Sequence, residues 1–324
     1  METVRAGRSG LNVSRICLGT MIFGTQLDEA AAGAVLDQAA DLGIDFVDLA
    51  DNYPVPPAPE SAGRTEEIVG RWLRSRDAPF TVATKCVNPM GPGVNDRGAG
   101  RKHVIEACDA SLRRLGRECV DVFYLHHSDP QTPIDESLEA LDRLRQTGKI
   151  HYVGLSNFEA WELALAMAVV AERRLARVSI LQPRYNLVTR GPERDLLPLC
   201  LAAGIAVVPF NPLAAGVLAG RHERSAAAPG DSRFGWGDYG RMYQERYWHE
   251  AMFDVVDDVK AVAVEIGATP AQVSLAWLLA QPAVTAPIVG ASRPEQLRDS
   301  VGALEVRLEK EHLDRLERVS QPFA

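Results

Sequence analysis

DFVDLADNY (45–53) is a short apolar run that ends in polar residues, and its reading decides the rest of the chain. Phe46 and Val47 suit a buried strand; Asp48 lies inside that strand and Tyr53 in the loop just beyond its C-terminal end. Working outward, runs of the same kind recur at 14–20 (SRICLGT), 80–86 (FTVATKC), 120–127 (VDVFYLHH), 150–157 (IHYVGLSN), 179–186 (SILQPRYN), 206–212 (AVVPFNP) and 285–292 (TAPIVGAS). Amphipathic segments fill the intervals near 28–42, 64–76, 102–116, 134–147, 159–173, 193–203, 270–280 and 294–302, some introduced by capping types such as Asp28 and Ser292. Strand–helix alternation of this length predicts an α/β protein of the (β/α)8, or TIM barrel, class. A doubly wound nucleotide-binding sheet is disfavoured, because no GxGxxG follows the first strand.

Four stretches fall outside the repeat. Residues 1–12 read as an N-terminal hairpin closing the barrel floor, 221–249 as a Gly- and aromatic-rich insertion over the mouth, and 250–267 and 309–319 as two extra helices. No linker divides the 324 residues, so a single domain over 1–324 is expected, with 46% hydrophobic composition ample for its core. A net charge of −8 disfavours nucleic acid as a partner. The opening METVRAGRSGLNVSRICLGT lacks a signal-peptide core, and no run approaches bilayer length, so no membrane association and a cytoplasmic location are expected. Five cysteines without CxxC spacing argue against both a disulfide framework and a metal site.

Asp48, Tyr53, Lys85 and His126 stand at or near the ends of three consecutive strand-like runs, where a barrel assembles its chemistry. A phenol titrates near 10, and a lysine ammonium beside it is expected to draw that value down. Asp48 would compensate and position a buried Lys85. A histidine beside the same phenol can orient a carbonyl oxygen, so the four together can polarise a carbonyl and protonate the alkoxide. His127 competes for the histidine role only if the strand register shifts by one. A Schiff-base aldolase or isomerase using Lys85 is the alternative chemistry on the same fold.

These residues resemble the aldo-keto reductases. The likeness runs through SGLNVSRICLGTMIFG (9–24), GIDFVDLADNY (43–53), the Thr84–Lys85 and Leu125–His126 pairs, GKIHYVGLSNF (148–158), QPRYN (182–186), FNPLAAGVLAGR (210–221) and IVGASRPEQL (288–297). It implies carbonyl reduction with NADP(H), with NAD(H) as the alternative, and a catalytic tetrad of Tyr53 as general acid with Asp48, Lys85 and His126. It implies that Phe210 stacks on the nicotinamide and that Ser156, Asn157 and Gln182 hold its carboxamide. Gly19, Thr20, Met21 and Asp48 would line the ribose side; Asn211, Pro212, Leu213 and Ala215 the pyrophosphate; Gly290, Ser292, Arg293, Gln296, Asp299 and Ser300 the adenosine end, with Arg221 and Arg233 folding over the phosphates. Ser300 departs from the commoner asparagine there. Ser292 and Arg293 at a helix start suit a 2′-phosphate. In RFGWGDYGRMYQERYWHE (233–250), similar to the aflatoxin-aldehyde-reductase branch, Tyr239 and Arg246 would face substrate; pairing of Arg246 with Glu245 or Glu250 on a short helix is the competing reading. The expected partner is a small-molecule carbonyl, on a monomer or homo-oligomer. A nucleotide-sensing subunit like the potassium-channel β subunits is the alternative function.

Overall fold

The computed structural model describes residues 1–76, 79–224, 228–230 and 232–324, so positions 225–227 and 231 of the 221–249 insertion lie outside the described residues. A hairpin of β1 (Thr3–Arg5) and β2 (Asn12–Ser14) precedes the sheet. The parallel strands are β3 (Cys17–Gly19), β4 (Phe46–Asp48), β5 (Thr81–Cys86), β6 (Val120–Leu125), β7 (Ile150–Ser156), β8 (Val178–Gln182), β9 (Ala206–Val207) and β10 (Ile288–Gly290), ordered β10-β3-β4-β5-β6-β7-β8-β9. The ring closes where Val207 bridges Val284, with the Thr285 N–H donating to the Val207 carbonyl at 2.8 Å and the Ile288 N–H to that of Pro209 at 2.9 Å. The fold is therefore the α/β barrel that the alternation predicts.

Helices α1 (Glu29–Asp41), α2 (Arg64–Arg76), α3 (Arg101–Leu115), α4 (Ile134–Gln146), α5 (Ala160–Arg173) and α6 (Leu196–Ala203) follow the successive strands. After β9 come α7 (Gly237–Tyr247), α8 (Glu250–Ile266) and α9 (Pro270–Leu279), and after β10 come α10 (Pro294–Val301) and α11 (Lys310–Val319). Local chemistry sets several boundaries. Asp28 caps α1 by accepting from the Ala31 N–H, and Thr269 with Gln272 forms a capping box ahead of α9, with Pro270 at its first turn.

Side chains inside the barrel come from Cys17, Phe46, Ala83, Val122, Tyr124, Ile180, Ala206 and Ile288, and the hairpin contributes Ala6 and Val13 to the same cluster. Tyr124 is fully buried and lies across β7 at Gly154, where the β7–β8 register shifts. A Cβ on Gly154 would stand 2.3 Å from the Tyr124 ring, so the close approach requires glycine.

The strands are shorter than the sequence suggests. In 206–212 only Ala206–Val207 is strand, because Pro209 and Pro212 lack the N–H that a ladder needs, although Phe210 still bridges Arg184. Ser14 belongs to the hairpin, paired with Thr3, and not to the first barrel strand. The cap of α10 is Arg293; Ser292 instead directs its N–H and Oγ to Gln296 Oε1, both at 2.9 Å. Helix α7 is the larger difference: the short helix weighed around Arg246 extends back through Gly237 and Gly240, which read as loop. Gly240 packs so close to Phe234 that a Cβ would sit 2.3 Å from its carbonyl oxygen. Gln244 Nε2 donates to that oxygen at 2.8 Å, and Tyr243 and Tyr247 are buried. Among the described residues no single helix is long and apolar enough to cross a membrane.

Candidate active site

Because β3, β4, β5 and β6 are neighbours, the residues at their C-terminal ends converge. Lys85 is fully buried, with Nζ 2.6 Å from Asp48 Oδ2 and 2.6 Å from the Leu49 carbonyl. Gln182 Nε2, from β8 across the barrel, donates to Asp48 Oδ1 at 2.8 Å, so both carboxylate oxygens are engaged. The Lys85 ammonium lies 5.1 Å from the centre of the Tyr53 ring, and His126 meets that ring edge-on with centroids 6.0 Å apart. His127 is exposed and turns its Nδ1 toward the Ser128 carbonyl at 2.8 Å. The register explains the difference: Lys85 pairs with Tyr124, so alternation from inward-facing Tyr124 brings His126 to the mouth and turns His127 away.

Burial acts on each group. It presses the Lys85 pKa down, but Asp48 and Tyr53 more than offset it, so the ammonium is held above its ordinary value. Burial lifts Asp48, opposed by Lys85 and Gln182. The Tyr53 phenol is pushed up by burial, with Lys85 opposing, and the expected downward shift is reversed because desolvation outweighs the ammonium. His126 stays neutral: burial, then Lys85, then His127 hold its pKa well below the usual imidazole value.

Asn88, absent from the sequence reading, completes this end of the site. Its Nδ2 lies 2.8 Å from His126 Nδ1. An amide nitrogen only donates, so Nδ1 accepts and the ring proton resides on Nε2. Val87, just before it, has φ 111°, a costly conformation for a β-branched residue. Nothing in CVNPMG distinguishes Asn88 before the loop is folded. Asp51, two positions from Tyr53, is also new: it is fully buried and both carboxylate oxygens lack a partner among the described residues. Burial and then Glu66 push its pKa well above the carboxylate range, against Arg114.

Beside the four groups the barrel rim offers a cradle. Asn157, at φ 55°, donates from Nδ2 to the His126 carbonyl at 2.9 Å and to Ser156 Oγ at 3.1 Å, leaving Oδ1 an unspent acceptor among the described residues. Ser156 Oγ donates to the Gln182 carbonyl at 2.9 Å. Phe210 lies half-buried at the top of the barrel interior. Thr20 Oγ1 donates to the Asp48 carbonyl at 2.8 Å, Gly19 pairs with Gly290 and Asp48, and the Met21 carbonyl accepts the Val55 N–H at 2.8 Å. After Pro212 and Leu213 the backbone turns left-handed at Ala214, Ala215 and Gly216, held by Asn211 Oδ1 accepting the Ala215 N–H at 2.7 Å. Gly290 leaves open a space that a Cβ would occupy 3.7 Å from Arg233 Nη2 and 3.8 Å from the Gly19 carbonyl. Arg221 and Arg293 are exposed.

Two positions behave differently. Asp299 accepts from Thr269 Oγ1 at 3.2 Å and Gln272 Nε2 at 3.1 Å, tying α10 to α9, and Ser300 is buried. Tyr239 and Arg246 both lie on α7; Tyr239 is exposed, and Arg246 forms no ion pair with Glu245 or Glu250. Glu250 instead pairs with Arg224 at 2.5 Å. A polar amide cradle beside a half-buried aromatic, with Arg233 over a glycine gap, fits a nicotinamide nucleotide.

Comparison with known proteins agrees with this architecture. The model of the Aldo/keto reductase family matches residues 15–321. An uncharacterized oxidoreductase, YrpG, of Bacillus subtilis is 37% identical over 97% of this chain and 94% of its own length. A probable voltage-gated potassium channel subunit beta of Arabidopsis thaliana is 35% identical, covering 99% of this chain and 97% of that protein. L-glyceraldehyde 3-phosphate reductase of Escherichia coli is 35% identical over 94% of this chain and 88% of that protein. The chain belongs to the aldo/keto reductase family.

Proposed function

We propose that this aldo/keto reductase reduces an aldehyde or ketone to the alcohol with NADPH, NADH being the alternative, and that Tyr53 is its general acid. The observation that carries the reading is the Lys85–Asp48 contact of 2.6 Å directly beneath Tyr53, with His126 at the ring edge. Bound reduced nicotinamide would supply the hydride. Tyr53, its pKa lifted by burial, keeps its proton at neutral pH and donates it as negative charge develops on the carbonyl oxygen. Lys85, held charged by Asp48, stabilises the phenolate left behind. His126, neutral and protonated on Nε2, donates to the same oxygen and sets its orientation. Ser156, Asn157, Gln182 and Phe210 would hold the nicotinamide, Arg293 would favour the 2′-phosphate of NADP, and Arg221 and Arg233 would fold over the phosphates.

A panel of aldehydes and ketones with each reduced nucleotide tests this. Tyr53→Phe should lower kcat by about 10²–10⁴-fold while nucleotide affinity stays close to wild type. Wild-type turnover in that variant refutes Tyr53 as the acid. The relatives named as channel β subunits favour a second reading, a nucleotide-binding interaction subunit. It predicts tight nucleotide binding with no turnover of any carbonyl.

A further inference from the structure

Helix α5 carries an apolar stripe that the rest of the chain leaves uncovered. Its Leu163 and Ala166 are buried against the barrel, whereas Trp161, Ala164, Leu165 and Ala168 are exposed. A spacing of i, i+3, i+4 and i+7 sets these four on one side of the helix. Trp161 is 68% exposed and Leu165 48%, and among the described residues α5 is the one helix that leaves two large apolar side chains in water. Neighbouring α6 widens the face, with Pro198, Leu201 and Ala202 exposed at the same kind of spacing. A tryptophan side chain buries on the order of 150–250 Å² when it is covered, and contiguous apolar exposure of this sort marks a contact surface.

The charges at the two ends of α5 point to what covers it. Glu159 stands exposed just before the first turn and Arg174 exposed just after the last, and neither forms an ion pair among the described residues. Their neighbours are already engaged: Arg173 holds Asp135 and Glu139, and Arg194, close to Glu159, is paired with Asp195. An acidic start and a basic end complement each other when a second copy of the helix runs antiparallel, and clash when it runs parallel. Take a two-fold axis at the point midway between Ala166 and Met167. Positions 159 and 174, 161 and 172, and 165 and 168 are each equidistant from it. One alignment therefore sets Glu159 against Arg174, Leu165 against the small Ala168, and Trp161 along the stem of Glu172. The 14 residues of α5 run about 21 Å, and with α6 beside them the face spans roughly 300 Å² in projection. That is well under the ~800 Å² per partner of a standard stable interface, which places the pair among weak, concentration-dependent dimers.

We propose that α5 is the two-fold interface of a homodimer, in which the stripe of Trp161, Leu165 and Ala168 packs antiparallel on the same helix of a second copy and Glu159 of each chain meets Arg174 of the other. The contact stands on the outer wall of the barrel and does not depend on the carbonyl-reductase reading of the mouth.

Sedimentation velocity of the full chain over about 1–100 μM tests this, because a weak dimer dissociates reversibly within that range. The wild type should pass from monomer to dimer as concentration rises. Trp161→Glu should raise the dissociation constant about 10-fold or more, since a large aromatic at the centre of a contact carries much of its affinity. Leu165→Glu gives the same reading should Trp161→Glu fail to fold, and circular dichroism melts report the fold of every variant. Glu159→Arg and Arg174→Glu should each weaken association, because each sets like charges face to face at both ends of the pair. Combined in one chain, the two substitutions restore opposite charges across an antiparallel contact and should return the dissociation constant close to wild type. A chain that stays monomeric throughout overturns the inference. So does association that Trp161→Glu and Leu165→Glu leave unchanged, which would put the contact on another face. Single charge variants that associate as wild type does, or a double variant without recovery, overturn the antiparallel pairing.

Discussion

Replacing Asn88 with leucine asks whether the tautomer of His126 governs the reaction. The Asn88 amide donates to Nδ1 at 2.8 Å, which places the single proton of a neutral imidazole on Nε2. The strained Val87 backbone that presents Asn88, at φ 111°, stores on the order of 1–3 kcal/mol, a cost that the loop sustains only because its surroundings over-determine it. Leucine removes the donor and leaves Nδ1 without its bond. A neutral hydrogen bond of this kind contributes about 0.5–1.5 kcal/mol, so kcat/KM for carbonyl reduction should fall about 2- to 12-fold. Asn88→Asp provides the contrast. Its carboxylate accepts at Nδ1, draws a proton there and raises the His126 pKa, so that an imidazole ionisation enters the pH–rate profile between about pH 5 and 8. The assay is steady-state reduction across pH, with long-range ¹H–¹⁵N spectra of the imidazole to read the tautomer. Wild-type kcat/KM in Asn88→Leu, or a wild-type spectrum with the proton on Nδ1, refutes the argument.

Asp51→Asn should flatten the pH dependence of stability. A buried acid whose folded pKa is raised contributes stability that is complete below the ordinary carboxylate value near 4 and is lost as pH rises through its folded-state pKa, at no more than about 1.4 kcal/mol per pH unit. Calorimetric Tm of the nucleotide-free protein should therefore decline with rising pH more steeply in wild type than in Asp51→Asn; parallel curves would show that the carboxyl is not buried neutral. Gly154→Val should destabilise the barrel by about 1–3 kcal/mol or more, because its Cβ meets the Tyr124 ring at 2.3 Å and that ring is enclosed on all sides. Denaturant unfolding with a wild-type midpoint would contradict the packing described.

The barrel was legible because strand and helix each impose a periodicity on apolar residues, and runs such as FTVATKC and VDVFYLHH show that periodicity without reference to anything distant. The residue types at the strand ends were legible for the same reason: Asp48, Lys85 and His126 close consecutive runs, and neighbouring parallel strands must bring their ends together. A short helix around Arg246 was legible only as an alternative, and the extent of α7 back through Gly237 and Gly240 was not, since its stability comes from buried Tyr243 and Tyr247 and from the Gln244 bond to the Phe234 carbonyl.

Local pattern thus settles which elements form and which side chains arrive at the mouth, because periodicity and strand order are properties of nearby residues. Direction and partnership belong to the folded molecule. The sign of the Tyr53 shift depends on how much desolvation opposes one ammonium, the proton position on His126 depends on Asn88 at 2.8 Å, and the 2.7 Å bond from Asn211 to the Tyr247 hydroxyl depends on where α7 settles. Each is a balance between burial and a contact made across long stretches of chain, and such balances exist only once the tertiary structure has set distances and excluded water.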